Sequence, residues 1–421
     1  MPKGTRKIEV SPQDEIDLHI KVPRSGRILI TAVTSDDGRS SIHQFKIPLW
    51  LEKLIDQFKA WGETASREES TMKKTSYSTW ILIAIGLVLF LGSRVINLED
   101  FPPGFYSDEV VNAVRASDLV RDGFHDYDHN FLPTFFVNDA KFTLGTTVYL
   151  QIIPHLLFGY DIFFVRLVSV LLAALASLWM ALTIIRSYKL SHGWTAIFIL
   201  ASAPAWFMYS RLAFETIAAA CFYMGFLHYY LRYRLENRRY IYPSMICAAL
   251  SFYSYFPAQV IVPLTYLAFL VLDRKYHLQE WKQTLFSHLF LALLTIPLLR
   301  FILQHPGSYG EILDQYHSFL ATNSNGIEKL LSFLGNYLQG FNPYFWFNPN
   351  PSNHGWFEMR PYGYLPLLLL PFFLYGGYLL IRDIRKPEMR VLLAAWLITP
   401  IASALTAIVI TRMLTAIIPL V

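Results

Sequence analysis

Lys141-Phe-Thr-Leu-Gly-Thr-Thr-Val-Tyr-Leu-Gln-Ile-Ile-Pro-His-Leu-Leu-Phe158 decides how this chain is threaded. The run is nearly long enough to cross a bilayer. Yet it opens with a lysine and contains Gly145, Gln151, Pro154 and His155, which makes it the most polar of the apolar runs beyond residue 79. The other runs lie at about 79–97, 162–185, 193–210, 212–231, 240–255, 257–272, 284–304, 362–381 and 390–410, with a last one starting near 413. Basic connectors occur at Lys73-Lys74, Arg186/Lys189, 232–239, Arg274/Lys275/Lys282 and 382–390. The positive-inside rule assigns all five to the cytoplasm. If every apolar run crossed, the later four would fall outside. One early run therefore fails to cross, and 141–158 is read as an interfacial or re-entrant helix.

Composition supports that frame. Of 421 residues, 54% are hydrophobic, 16% aromatic and only 16% charged. A soluble domain carries about 25% charged residues, so a single soluble domain is excluded, and so is disorder. Cys221 and Cys247 both lie in apolar runs, which excludes a disulfide scaffold. The net charge of +5 is spread over connectors rather than gathered on one face, so nucleic acid is not an expected partner. The expected fold is an all-α polytopic membrane protein with about nine or ten transmembrane helices plus interfacial helices.

Residues 1–75 differ from the rest. They hold 13 of the 36 Lys/Arg and 11 of the 31 Asp/Glu. β-formers cluster at 15–22, 27–34 and 41–47, separated by turn signals, and an amphipathic helical pattern follows over 49–61. The chain thus divides into a soluble, β-rich cytoplasmic extension, 1–75, and a membrane domain, 76–421. The last apolar run stops nine residues after it begins, which reads as a chain cut short within that domain.

With 141–158 lying flat, residues 98–161 and 305–361 become two large extracytoplasmic loops. The first reads Phe101-Pro-Pro-Gly-Phe-Tyr-Ser-Asp-Glu, so Asp108 and Glu109 open a helix just above the apolar layer. Helix capping explains acids at that position, and so does a general base held at the lipid–water boundary. Glu215 lies in the first turn of a helix entering from the same side, with Arg211 four residues earlier. Two carboxylates at the outer edge favour a metal- or acceptor-binding site. Arg211 and Arg412 fall outside, where the positive-inside rule disfavours arginine. His125 and His129 have metal-like spacing but lack a third ligand. His354 sits in the Pro/Gly/Asn-rich second loop, which suits a lid or a carbohydrate-contacting loop, and an inert surface loop equally well. P-loop, dinucleotide, HExxH and GxSxG signatures are missing, and the near absence of mid-membrane charge argues against an ion-coupled transporter.

These features together resemble a family. The Asp108-Glu109 pair, an interfacial helix headed by Lys141, and Ser210-Arg211 followed by Glu215 are similar to the GT-C membrane glycosyltransferases. The likeness is nearest to the protein O-mannosyltransferase and aminoarabinose-transferase branch. Gly159-Tyr-Asp-Ile-Phe-Phe-Val-Arg166-Leu, the 202–211 stretch and the 341–364 loop add to it. The resemblance implies an inverting hexosyl- or pentosyltransferase in the plasma membrane. Its sugar comes from a polyprenyl-phosphate donor on the extracytoplasmic face, and its acceptor is a protein, a lipid or a polysaccharide. Carried over, Asp108 is the catalytic carboxylate with Glu109 beside it. Lys141, Arg211 and Arg412 meet the donor phosphate, and Glu215 and His354 serve the acceptor or a divalent metal cation, the one cofactor left open. A non-catalytic transporter or flippase of lipid-linked glycans, or an envelope-assembly scaffold, is the alternative.

Overall fold

The computed structural model describes the strands at 17–21, 29–36 and 39–46, and from residue 77 onward all but 139–140, 316–317, 322–324, 349–356, 358 and 360. The helix expected over 49–61 and His354 lie outside the described residues. The chain forms two compact units, Met1–Thr75 and Ser76–Val421. In the first, β1 (Asp17–Lys21), β2 (Leu29–Asp36) and β3 (Arg39–Lys46) form an antiparallel sheet in sequence order. β2 and β3 pair up to Asp36 and Arg39. The two residues between them are Asp37-Gly38, a pair that favours tight hairpins.

The second unit is helical and apolar. Among the described residues, Tyr77–Val95, Ile162–Arg186 and Trp281–Gln304 are long and apolar enough to cross a membrane. Pro204–Ser210 and Glu215–Leu235 make a fourth candidate bent by 112°. Other apolar runs form shorter helices, such as Phe256–Leu272. Proline accounts for several breaks. The run expected at 193–210 ends one helix at Ser202 and starts the next at Pro204, because the ring removes a donor and pushes the preceding residue out of the helical region.

The stretch 141–158 is not one helix. Its first residues form β5 (Lys141–Leu144), paired with β4 (Phe135–Asn138), and a helix follows over Gly145–Phe158. Fourteen residues rise about 21 Å, short of the roughly 30 Å of hydrocarbon. This helix packs its buried Val148 and Ile152 against Ala116 and Leu119 of helix Ser107–Arg121, as an interfacial element does.

Helix Glu215–Leu235 is the axis of the unit, with every residue from Thr216 to His228 buried. It is apolar all round, as a helix enclosed by others must be. Interhelical hydrogen bonds join it to its neighbours: Ser251 Oγ donates to the Ala219 carbonyl (2.9 Å), Ser244 Oγ to the Phe226 carbonyl (3.1 Å), and Thr183 Oγ1 meets His228 Nδ1 (2.8 Å). Gly225 permits the closest approach. A Cβ there would stand 2.6 Å from the Trp179 ring and 2.9 Å from Cys247 Sγ. Gly225→Val is therefore expected to cost about 1–3 kcal/mol by overpacking, read as a lower unfolding midpoint in nanodiscs. Gly376→Ala, with open space around it, leaves that midpoint unchanged.

Four of the basic connectors meet at one end of this unit. Arg186 lies 3.9 Å from Glu236, Arg238 pairs with Glu280 (2.9 Å), and Asp273 is gripped by Arg234 (3.1 Å) and Arg390 (2.5 Å). At the other end the two long loops touch. The rings of Phe142 and His305 lie 5.1 Å apart, and those of Tyr106 and Phe357 4.7 Å.

Candidate active site

The first loop is held by two buried arginines. Beyond Val95 the chain turns through Asn97 and Gly104, both at positive φ, before helix Ser107–Arg121 begins. Those turns leave backbone carbonyls pointing inward, where each needs a donor. Arg166 supplies Nη1 to the carbonyls of Leu98 (3.0 Å), Glu99 (3.1 Å) and Pro102 (3.0 Å). Arg211 supplies Nε to the Phe101 carbonyl (3.0 Å), Nη1 to that of Arg94 (2.6 Å) and Nη2 to that of Asn97 (2.7 Å).

This geometry revises two expectations. Arg211, read as a cation for a donor phosphate, has each guanidinium nitrogen committed to a carbonyl and is buried. Nor does it face Glu215 at helical spacing, because the chain bends by 112° between Ser210 and Glu215. Glu109, read as a second catalytic carboxylate, is fully buried. Its Oε1 accepts from Arg166 Nε (2.9 Å) and the Ala213 N–H (2.9 Å). Its Oε2 accepts from Arg166 Nη2 (3.0 Å) and the Tyr106 N–H (3.1 Å). Four donors fill its lone pairs, so Glu109 joins the helix start to the 211–214 bend and leaves no oxygen for a reactant.

Asp108 is different. It is exposed on the first turn of its helix and lies within electrostatic reach of Glu215, which is half-buried at the start of its own helix. Two carboxylates 107 positions apart in the chain are thus brought within electrostatic reach of each other. Around them Tyr106, Phe214 and Phe357 form an aromatic cluster, with centroids 4.7 Å (Tyr106–Phe357), 4.8 Å (Phe214–Phe357) and 6.2 Å (Tyr106–Phe214) apart. Phe357 brings the second loop into contact with both helix starts.

A separate cavity of about 400 Å³ is walled by apolar side chains including Phe252, Phe256, Val260, Leu298 and Leu405, with Arg412 on its lining. Arg412 Nη1 donates to Thr406 Oγ1 at 2.6 Å. The next residue back, Thr411, bonds Tyr209 (2.7 Å), whose ring lies 6.3 Å from Phe214. The residue next to Arg412 thus reaches, through Tyr209, the Phe214 ring of the aromatic cluster. Lys141 sits at the turn end of the β4–β5 hairpin, opposite Asn138, and its side chain lies outside the described residues. His125 Nδ1 lies 3.2 Å from the Asp122 carbonyl. Among the described residues, no group of three or more His, Cys, Asp or Glu is placed to hold a metal ion, so no step is derived through one.

Sequence reading missed the role of Arg166. The signal was present, because a lone arginine four residues inside an apolar helix demands a partner.

Residues 146–301 match the family described as dolichyl-phosphate-mannose-protein mannosyltransferase. Among solved structures, the chain is similar to ArnT from Cupriavidus metallidurans bound to undecaprenyl phosphate, at a TM-score of 0.54 and 13% identity, over 82% of this chain and 59% of that one. It is likewise similar to the apo state of ArnT from the same organism, at a TM-score of 0.52 and 13% identity, over 82% and 58% of the two chains. A search of curated proteins gives no match. The chain therefore shares the fold of ArnT from Cupriavidus metallidurans, and its residues 146–301 match the dolichyl-phosphate-mannose-protein mannosyltransferase family.

Proposed function

We propose that this chain transfers a sugar, with inversion, from a polyprenyl-phosphate donor to an acceptor at the loop end of the bundle, and that this end faces away from the cytoplasm. The observation that carries the reading is the presence in one helical unit of an exposed carboxylate, Asp108, within electrostatic reach of Glu215, and of an apolar cavity lined by Arg412. Each part suits one part of such a reaction. The apolar walls take a prenyl chain, as a bilayer does. Arg412 meets the phosphate, which gains negative charge as it leaves, and a fixed cation in a low-dielectric site offsets that charge. Asp108 withdraws the acceptor proton as the acceptor oxygen or nitrogen attacks the anomeric carbon from the face opposite the phosphate. Glu215 orients the acceptor. The basic connectors at the far end support a cytoplasmic location for that end and for the N-terminus. ArnT from Cupriavidus metallidurans, which shares the fold, binds undecaprenyl phosphate, and this supports the donor class.

The test is transfer of a labelled sugar from undecaprenyl-phosphate sugar to protein, lipid and polysaccharide acceptors by the full chain in nanodiscs. Formation of a glycosidic bond supports the reading. Movement of lipid across vesicles without any such bond overturns it in favour of a transporter. Arg412→Ala is expected to raise the KM for the lipid donor about 10- to 100-fold, the loss of one charge-assisted hydrogen bond, with a smaller change in kcat.

A further inference from the structure

Helix Gly326–Gln339, in the second loop, turns its apolar stripe away from the protein. Ile327, Leu331 and Leu338 are 72%, 63% and 67% exposed, and Leu330 and Leu334 lie on the same stripe. The helix is well started, with Asn325 capping the Glu328 N–H at 2.9 Å. At about 100° per residue, Asn336 lies on the side opposite that stripe. There Asn336 Nδ2 donates to the carbonyls of Ala404 (3.2 Å) and Thr406 (3.1 Å), and the nearby Tyr337 hydroxyl donates to the Leu397 carbonyl (2.9 Å). A polar anchor on one side and an apolar stripe on the other is the pattern of a helix that lies at a membrane surface.

The anchor points set its depth. Leu397 to Ala404 is the last part of helix Pro387–Ala404, a distance of about 10 Å along the axis. Leu397 is itself exposed. The stripe therefore continues the exposed apolar surface near the end of that helix.

Thr406 touches both Asn336 and Arg412, besides bonding the Ser403 carbonyl. Its carbonyl accepts from Asn336, and its Oγ1 accepts from Arg412 at 2.6 Å. The wall formed by Ala402, Leu405 and Thr406 separates the helix from the apolar cavity. We infer that helix Gly326–Gln339 is seated in the acyl–headgroup boundary of the bilayer and that Asn336, through Thr406, positions Arg412 at the cavity. Lipid is the partner of this face. The second half of the inference rests on the proposed role of Arg412 toward a lipid phosphate, whereas the seating stands apart from any activity.

Two measurements test it on the full chain in phosphatidylethanolamine/phosphatidylglycerol nanodiscs. Fluorescent labels at Leu331→Cys and Leu334→Cys are expected to be quenched by doxyl lipids, and a label at Lys329→Cys by aqueous iodide. The unmutated chain is the labelling control, since Cys221 and Cys247 are buried. If the Leu331 and Leu334 labels answer to iodide alone, or only to a quencher carried on a second copy of the chain, the seating is overturned. Asn336→Ala is expected to weaken binding of undecaprenyl phosphate, and to raise the donor KM, about 3- to 10-fold with kcat held within twofold. Unchanged binding, or a fall in kcat alone, overturns the coupling. An inactive chain whose Leu331 label is quenched by lipid refutes the proposed function and leaves the seating intact.

Discussion

Asp108→Asn is expected to lower kcat for sugar transfer by about 10²- to 10⁴-fold, the range for loss of a positioned general base. The substitution keeps the shape of the side chain and removes only its capacity to take a proton. Folding should be nearly untouched. Asp108 is exposed, and a carboxylate in the first turn of a helix adds only about 0.3–1 kcal/mol through the helix dipole. The unfolding midpoint and the donor KM are therefore expected to stay close to those of the parent while turnover collapses. Full turnover by the asparagine variant would remove Asp108 from the reaction. Collapse of the midpoint together with turnover would recast it as a cap.

The adjacent carboxylate should behave in the opposite way. Glu109→Ala and Arg166→Ala are each expected to destabilise the chain by about 3–5 kcal/mol, because each leaves an uncompensated buried charge. The readout is the unfolding midpoint in nanodiscs together with the monodisperse fraction on size exclusion. Arg166→Lys is not expected to rescue. A single ammonium cannot reach both Glu109 oxygens and the carbonyls of Leu98, Glu99 and Pro102, which the planar guanidinium spans. Activity falls with the fold in these variants, since the same contacts hold the loop that presents Asp108. An Arg166→Ala chain with the parent midpoint would show that the loop is held by other contacts.

Neighbours in sequence thus part in role. Asp108 and Glu109 both read as acids at a helix start, and nothing in their order says which is buried. A helix turns by about 100° per residue, so adjacent side chains point to different sides. The side that meets Arg166 is chosen by a helix more than fifty positions away. Arg211 shows the same limit. Its location at the loop end was legible from charge parity, but its partners are carbonyls freed by the turns at Asn97 and Gly104, and no residue type advertises a free carbonyl. Arg166 was visible as a charge in an apolar run, without a partner to explain it.

What the sequence determined by itself is the class of protein and its threading. Scarce charge, apolar runs and basic connectors are local quantities, and water and lipid sort them without reference to distant contacts. The polarity of residues 141–158 marks that stretch as different from the other apolar runs, and it forms a strand and a 14-residue helix. Tertiary structure alone decided which charges are exposed and which are sealed by partners. It joined Asp108 to Glu215 and Arg412 to an apolar cavity, and it sealed Glu109 against Arg166. Those outcomes depend on which helix faces meet, and in a bundle each meeting is set by packing between segments that the linear order leaves far apart.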